Sequence, residues 1–303
     1  MHALISRSSD PIPRWEQRDP PALAPDEVRV GVAAAGFTFY DSVAAANHEL
    51  LGLPEVIGLG FDFAGTVLEV GSEVRQPVVG ARVAGLHGDV TAPTRAHASE
   101  VVVSAGALAE VPAELSLESA AAATLSAITA RQALDLLGAN RGRLLVTGGQ
   151  GAVGSWAIVL AKRDGWDVAA LVRPGTEPLA REAGAGKVLT ELPQQAYDAV
   201  LDAAALQAAA LGALRDGGRF VGVKPGQPVA PERKIKTKFV IAQPDGAALA
   251  GLLGLAAAGE APVRIAASRP LADAASAYAD ANAASGSLGR WLLVPNSTVE
   301  ANQ

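Results

Sequence analysis

Cysteine is absent from this 303-residue sequence, which removes disulfides, thiolate nucleophiles and thiolate metal sites together. Histidine is scarce. His2, His48, His87 and His97 are the whole set, and they show no helical or strand spacing that would gather the three or four ligands zinc requires. Each is expected at the surface or in a structural role, and no metal is expected. Long apolar runs are missing as well: Leu249–Ala258 falls short of the roughly 20 residues that span a bilayer. The first residues include Arg7, Asp10, Arg14, Glu16 and Arg18, so no signal-peptide core is present there and a cytoplasmic location is expected. Clustered bases are confined to Arg233–Lys238, and the formal net charge of −6 arises from 31 acids interspersed with 25 bases. Neither a nucleic acid nor a membrane is an expected partner.

Half of the residues are hydrophobic and 18% are charged, so the chain can bury substantial cores, and its length favours two domains. Over Glu27–Ala34, Val28, Val30 and Val32 alternate with Arg29 and Gly31, the period of a half-exposed strand. Further short strands are expected at Phe63–Val70, Ala81–Leu86 and Glu100–Val103, each set off by Gly, Pro or Asp. The first 110 residues or so therefore read as a β-rich domain.

The pattern changes after Pro112. Ser116 caps an Ala-rich segment that runs to Leu137 and Gly138, which predicts a long helix. Strands then alternate with helices: strand Leu144–Thr147, helix Val153–Arg163, strand Asp167–Val172, helix Pro178–Glu182, strand Lys187–Leu189, strand Ala199–Asp202, helix Leu206–Arg215 and strand Arg219–Val223. Such alternation implies parallel βαβ units with helices on both faces. A strand at Phe239–Ala242 and a helix through Leu255 are expected to close this domain. The remainder, Val263–Pro295, reads as strand, helix (Leu271–Asn282) and strand (Trp291–Val294), with the residues after Pro295 frayed.

Leu144–Thr147 runs directly into Gly148-Gly149-Gln150-Gly151-Ala152-Val153-Gly154, which places a G-x-G-x-x-G pattern at Gly149, Gly151 and Gly154 between a strand and a helix. The first glycine permits a tight turn, the second lets backbone amides approach a pyrophosphate, and the third lets the helix lie close to the sheet. The helix N-terminus, at Ala152 and Val153, supplies the anion site. An NAD site normally has Asp or Glu about 20 residues further on. Here the second strand ends at Arg173, whose guanidinium can pair with a 2'-phosphate, so NADPH is the expected cofactor.

With these residues in view, the whole chain resembles the medium-chain dehydrogenase/reductase superfamily, in particular its zinc-independent quinone oxidoreductase and enoyl reductase branch. The markers are Ala35-Gly36-Phe37-Thr38-Phe39-Tyr40-Asp41, Gly60-Phe61-Asp62-Phe63-Ala64-Gly65, Glu69-Val70-Gly71 and Gly80-Ala81-Arg82-Val83. They continue with Thr129-Ala130, the glycine turn, Asp198–Asp202, Gly217-Gly218-Arg219 and Gly289-Arg290. Singly most of these are weak; in this order they are specific. The resemblance implies an α/β fold: a GroES-like β-rich domain from residues 1–117 and 262–303, and a doubly wound Rossmann domain from 118–261. It also implies a homodimer that reduces a quinone, or a C=C bond conjugated to a carbonyl, with NADPH held in the interdomain cleft.

Zinc-dependent members carry Gly-His-Glu where this chain has Gly60, Phe61 and Asp62, so the imidazole ligand is missing. A second departure is Thr38, where the branch usually has Asn near the nicotinamide. A hydroxyl donates one hydrogen bond where the amide offers a fork. Enone reduction requires hydride at the β carbon, a donor at the developing enolate oxygen and a proton at the α carbon. Thr38 and Tyr40 are the candidate donors, with ordinary packing of Tyr40 against Phe37 and Phe39 as the alternative. His97 is a further candidate acid, while Thr124 and Thr129 lie where the family's first interdomain helix meets the nicotinamide. Asp41 and Asp62 are expected to tie down their own loops. Small and apolar residues in the cleft segments favour a hydrophobic enone, quinone or polyketide-like substrate. The Thr38 departure leaves open a non-redox use of the same fold, such as a cyclisation, or cofactor binding without turnover. Phe239–Ala242 reads as an exposed sheet edge through which two copies would pair.

Overall fold

The computed structural model describes residues 1–224, 229–283 and 288–294. In chain order the elements are β1 (His2–Arg7), β2 (Asp10–Gln17), β3 (Glu27–Gly36), α1 (Phe39–Ala46), β4 (Val56–Gly58), β5 (Asp62–Val70), β6 (Arg82–Leu86), β7 (Glu100–Ser104), β8 (Leu108–Glu110) and α2 (Leu117–Leu137). They continue with β9 (Arg143–Thr147), α3 (Ala152–Arg163), β10 (Asp167–Leu171), α4 (Glu177–Glu182), β11 (Lys187–Leu189), β12 (Tyr197–Asp202), α5 (Ala208–Leu211), β13 (Leu214–Gly222) and β14 (Lys236–Phe239). The last four are α6 (Gly246–Ala257), β15 (Ile265–Pro270), α7 (Ala274–Ala283) and β16 (Arg290–Val294).

These elements form two compact units. One comprises Met1–Leu125, Gln243–Ala257 and the residues from Val263 onward; the other comprises Ser126–Ala242 and Ala258–Pro262. The division falls within α2 rather than at 117/118. Helix α6, expected to close the nucleotide domain, belongs to the first unit. Its Gly246 lies so close to β8 that a Cβ there would stand 2.1 Å from the Leu108 carbonyl oxygen.

In the first unit, β3 is the central strand of a seven-stranded sheet ordered β15-β16-β3-β5-β6-β8. Its first half pairs with β7 and its last two residues with β16, on the edge opposite β5. The alternation read from sequence is realised here: Val28, Val30 and Val32 point inward and meet Phe63, Val67, Val83, Val101 and Val103. Strands β1, β2 and β4 form a separate antiparallel sheet, which periodicity did not reveal. Pro and charged residues in β2 interrupt the apolar alternation that marks a strand.

The second unit holds a six-stranded sheet, every pairing parallel, in the order β11-β10-β9-β12-β13-β14. Renumbered within the unit this is 3-2-1-4-5-6, the doubly wound dinucleotide-binding order, whose switch point lies between its first and fourth strands. Two expected elements differ. The helix expected over Leu206–Arg215 shrinks to α5, because the Asp202 carboxylate accepts from the Leu206 and Gln207 amides and Gln207 adopts φ +57°. Leu214 already pairs with Tyr197 as strand. The edge strand expected at Phe239–Ala242 is Lys236–Phe239 instead, its register set by Arg219–Gly222 alongside. The expected fraying after Pro295 lies outside the described residues. Among them no helix is long and apolar enough to cross a membrane.

Candidate active site

The glycine turn sits at the C-terminal end of β9, at the switch point. Gly148 takes φ +64°, a conformation suited to glycine. A Cβ on Gly149 would stand 2.8 Å from that of Ala170, and one on Gly154 would stand 2.1 Å from the Gly148 carbonyl oxygen. Both glycines are demanded by the fold itself. Gly151 is different: an added Cβ would meet a single atom, the Gly148 oxygen, at 3.2 Å. Its bareness leaves the backbone open to something outside the protein. No side chain caps α3, whose N-cap is Gly151, so the first-turn amides of Ala152, Val153 and Gly154 have no intrahelical acceptor. The turn therefore presents uncapped donors at a positive helix end, and the cradle fits a pyrophosphate.

Behind the turn, the buried Thr147 hydroxyl donates to Asp202 at 2.5 Å, linking β9 to β12 across the switch point. The Thr147 oxygen also accepts from the Ala204 amide. Arg173 follows β10, two residues beyond Leu171, whose carbonyl accepts from the Gly149 amide at 3.2 Å. Its side chain is exposed, and the Thr176 hydroxyl closes the Arg173–Thr176 turn on the Arg173 carbonyl. Thr129 lies on α2 in this same unit, 9% exposed.

The residues expected to act on substrate lie in the first unit. Thr38 caps α1: its hydroxyl donates to Asp41 Oδ2 at 2.7 Å and accepts from the Asp41 amide, while the Thr38 amide donates back to the carboxylate. This reciprocal capping box commits the Thr38 proton. Asp41 is fully buried and also accepts from the Gly60 amide, so it does tie its own segment to the next loop. Tyr40 is half-buried, and its hydroxyl has no hydrogen-bond partner among the described residues. Of the packing expected of Tyr40 with Phe37 and Phe39, only Phe39 falls out, at 72% exposed; Tyr40 packs against the core cluster that holds Phe37, where Phe37 meets Tyr278 edge-on and Tyr40 meets Phe61 at 5.6 Å.

Asp62 reaches further than its own loop. It accepts from Arg290, 228 residues away, at 2.7 and 2.8 Å, and from the Leu125 amide. Burial raises its carboxyl above the usual range, and the Arg290 charge opposes that rise. His97 is fully buried, with Nε2 on the Gly36 carbonyl at 3.1 Å and Nδ1 on the Tyr278 hydroxyl at 2.8 Å. The carbonyl can only accept, so Nε2 carries the proton and Tyr278 donates to Nδ1. Burial lowers the basicity of this imidazole, and both nitrogens are engaged, so it is no acid for substrate. Thr124 bonds the Ala120 carbonyl within its helix. His48 donates from Nδ1 to the Pro54 carbonyl and accepts at Nε2 from the Ser6 hydroxyl, and His2 stacks on Trp15. No group of three His, Asp or Glu able to hold a metal occurs among the described residues.

Sequence reasoning missed Arg95. The residue is 1% exposed and its guanidinium lies 4.1 Å from the Phe61 ring centroid, yet none of its nitrogens has a hydrogen-bond partner among the described residues. An isolated Arg in a loop gives no periodic signal of burial.

Residues 24–115 match the family described as Alcohol dehydrogenase GroES-like domain, and residues 180–287 match Zinc-binding dehydrogenase. Over 214 residues, 66% of this chain, it is 34% identical to the spectinabilin polyketide synthase system protein NorB of Streptomyces orinoci, and it spans 9% of that protein's length. It is 32% identical over 253 residues to the trans-enoyl reductase thnE of Trichoderma harzianum, covering 72% of this chain and 67% of that one. The quinone oxidoreductase of Coxiella burnetii shares the fold, with a TM-score of 0.84 at 22% identity over 98% of this chain and 99% of the other. Together with the switch-point glycine turn and the β-rich unit built from both ends of the chain, these matches place it: the chain belongs to the medium-chain dehydrogenase/reductase superfamily, in its quinone oxidoreductase and enoyl reductase branch.

Proposed function

We propose that this protein is a zinc-independent oxidoreductase that uses NADPH to reduce a quinone or a C=C bond conjugated to a carbonyl. The observation that carries the reading is the cradle at Gly149, Gly151 and Gly154, where the fold requires two glycines and leaves the third bare beside uncapped amides. In this reading the first-turn amides of Ala152, Val153 and Gly154 hold the pyrophosphate, Arg173 pairs with the 2'-phosphate, and Thr129 contacts the nicotinamide end. Bound NADPH supplies the hydride that reaches the carbon β to the carbonyl.

The chain's own residues supply the rest. Tyr40 donates its unengaged hydroxyl to the carbonyl oxygen as negative charge develops there. Thr38 spends its proton on Asp41 and acts by fixing the start of α1, which orients Tyr40. A proton delivered to the α carbon completes the addition of two hydrogens, with NADP⁺ as the oxidised product. Relatives named as enoyl reductases and polyketide synthase proteins support a hydrophobic enone or polyketide-like substrate.

Fluorescence titration with NADPH and NADH, repeated on Arg173→Ala, tests this reading. NADPH is expected to bind more tightly than NADH, and the variant is expected to lose about 10- to 100-fold affinity for NADPH alone, the worth of a charge-assisted phosphate contact. Binding of neither dinucleotide sinks the proposal. Turnover to a product of unchanged oxidation state would move the fold's use to non-redox chemistry, the alternative that the Thr38–Asp41 bond keeps in view.

A further inference from the structure

Two loops flank the switch point of the six-stranded sheet, and a single carboxylate holds both. The first is the glycine turn after β9; the second is the segment Ala203–Gln207 that follows β12. Asp202, fully buried, accepts from the Thr147 hydroxyl at 2.5 Å, from the Leu206 amide at 3.1 Å and from the Gln207 amide at 2.7 Å. The Thr147 oxygen in turn accepts from the Ala204 amide at 3.1 Å. The second loop is strained. Ala205 has φ +55°, and Gln207 has φ +57° with ψ −126°, backbone that glycine adopts freely and L side chains rarely do. Such strain persists only where the surrounding structure imposes it, and it gathers at functional sites. Side-chain packing does not impose it, because Ala204, Ala205 and Leu206 are exposed. The Asp202 carboxylate does, by drawing in the amides of Leu206 and Gln207, which lie beside and at the strained positions.

What the strain achieves shows at Gly148. A Cβ there would stand 3.2 Å from both the amide nitrogen and the Cβ of Ala204, so the strained loop packs directly on the start of the glycine turn. Gly148 is also the acceptor that closes the turn: its carbonyl accepts from the Gly151 amide at 2.8 Å. The same oxygen is the atom that a Cβ on Gly154 would meet. A continuous path therefore runs from Asp202 to the cradle, through the Thr147 side chain on one branch and Ala204 on the other. Both branches end at the one carbonyl against which Gly151 and the first turn of α3 are set.

We infer that Asp202 is a positioning residue for the dinucleotide cradle: it holds the Ala203–Gln207 loop in its strained form against Gly148 and so fixes the aim of the cradle amides. Asp202 is buried and acts only through the two loops. The inference rests on the proposed function in taking the cradle as a dinucleotide site, and it is independent of which reaction follows. Because the amides it aims serve the pyrophosphate, which NADPH and NADH share, its influence falls on both cofactors equally, unlike that of Arg173.

Fluorescence titration of three full-length variants with NADPH and with NADH tests this, each at a temperature where circular dichroism shows the variant folded. Thr147→Val removes the hydroxyl that joins Asp202 to the turn. Its affinity for both dinucleotides is expected to fall about tenfold, the worth of one misaimed hydrogen bond to a charged group, with the ratio between them unchanged. Thr147→Ser keeps the hydroxyl and should recover most of that loss. Ala205→Gly should move stability and binding in opposite directions: relief of the positive φ raises the melting temperature by about 2 °C, while the freed loop weakens both dinucleotides. Melting temperatures that shift while affinities stay at the wild-type value would show a purely structural role and overturn the inference. So would a serine variant that binds no better than the valine variant, or a glycine variant that melts lower than wild type. Should Thr147→Val fail to fold, Ala205→Gly alone decides. Affinities that follow these expectations in a protein that reduces no enone or quinone keep the inference and discard the reductase reading; NADPH oxidation with enones, at affinities indifferent to the three substitutions, does the reverse. A wild-type chain that binds neither dinucleotide overturns both.

Discussion

Burial, and then the neighbouring Arg95 charge, hold the His87 imidazole down to about 4, against 6.5 for the free group. It is neutral in the folded protein at pH 6, where the unfolded chain is largely protonated. The unfolded state therefore binds more protons between pH 6.5 and 4, and stability falls as pH drops through that window. The loss amounts to about 3 kcal/mol at its fullest. His97 is shifted in the same direction and Asp62 in the opposite one, so the comparison must isolate one residue. We expect His87→Gln to flatten the decline in thermal stability between pH 6.5 and 4.5. Parallel curves for variant and wild type would show that His87 titrates normally. The two donors proposed from sequence also part company at this scale. Thr38 and Tyr40 were equivalent as hydroxyls in the chain, and only the Asp41 carboxylate, one helical turn on, takes the first out of contention.

At the scale of the element, the β9–turn–α3 unit carries the most information in the fewest residues. Gly154 and Gly151 look alike in the motif but differ in what encloses them. Gly154→Ala drives a methyl group into the Gly148 backbone and should destabilise the protein by about 1–3 kcal/mol in urea unfolding. Gly151→Ala, at φ −80°, should leave stability within about 0.5 kcal/mol, yet weaken NADPH binding tenfold or more because the methyl group occupies the approach to the amides. Equal NADPH affinity in Gly151→Ala and wild type would contradict the cradle. This element was legible beforehand, as were α2 and the inner strands, because apolar period, caps and glycines agree with one another. Strands β1 and β2 were not, since their pairing is decided by register with each other and not by a pattern of their own. Helix α5 was overread: the same Ala-rich composition serves a four-residue turn once Asp202 captures the amides ahead of it.

At the scale of the whole molecule, β14 ends the six-stranded sheet with Phe239 39% exposed and Ile241, just past it, 58% exposed. Among the described residues β14 is the last strand of this sheet, and a sheet edge favours pairing with a second copy; we expect light scattering to return twice the 30.6 kDa chain mass, and a monomer mass would exclude pairing through this edge. Local sequence determined the character of each half of the chain, the glycine turn after β9 and the absence of cysteine chemistry, because helix and strand period, glycine steric freedom and side-chain inventory are properties of neighbouring residues. Tertiary structure alone decided that β3 joins β16 to β5, that α6 belongs to the first unit, that Asp62 answers to Arg290, and that the Arg95 nitrogens are buried without a hydrogen-bond partner. Those pairings join residues tens to hundreds of positions apart, and burial is set by what packs above a side chain, which no local pattern records.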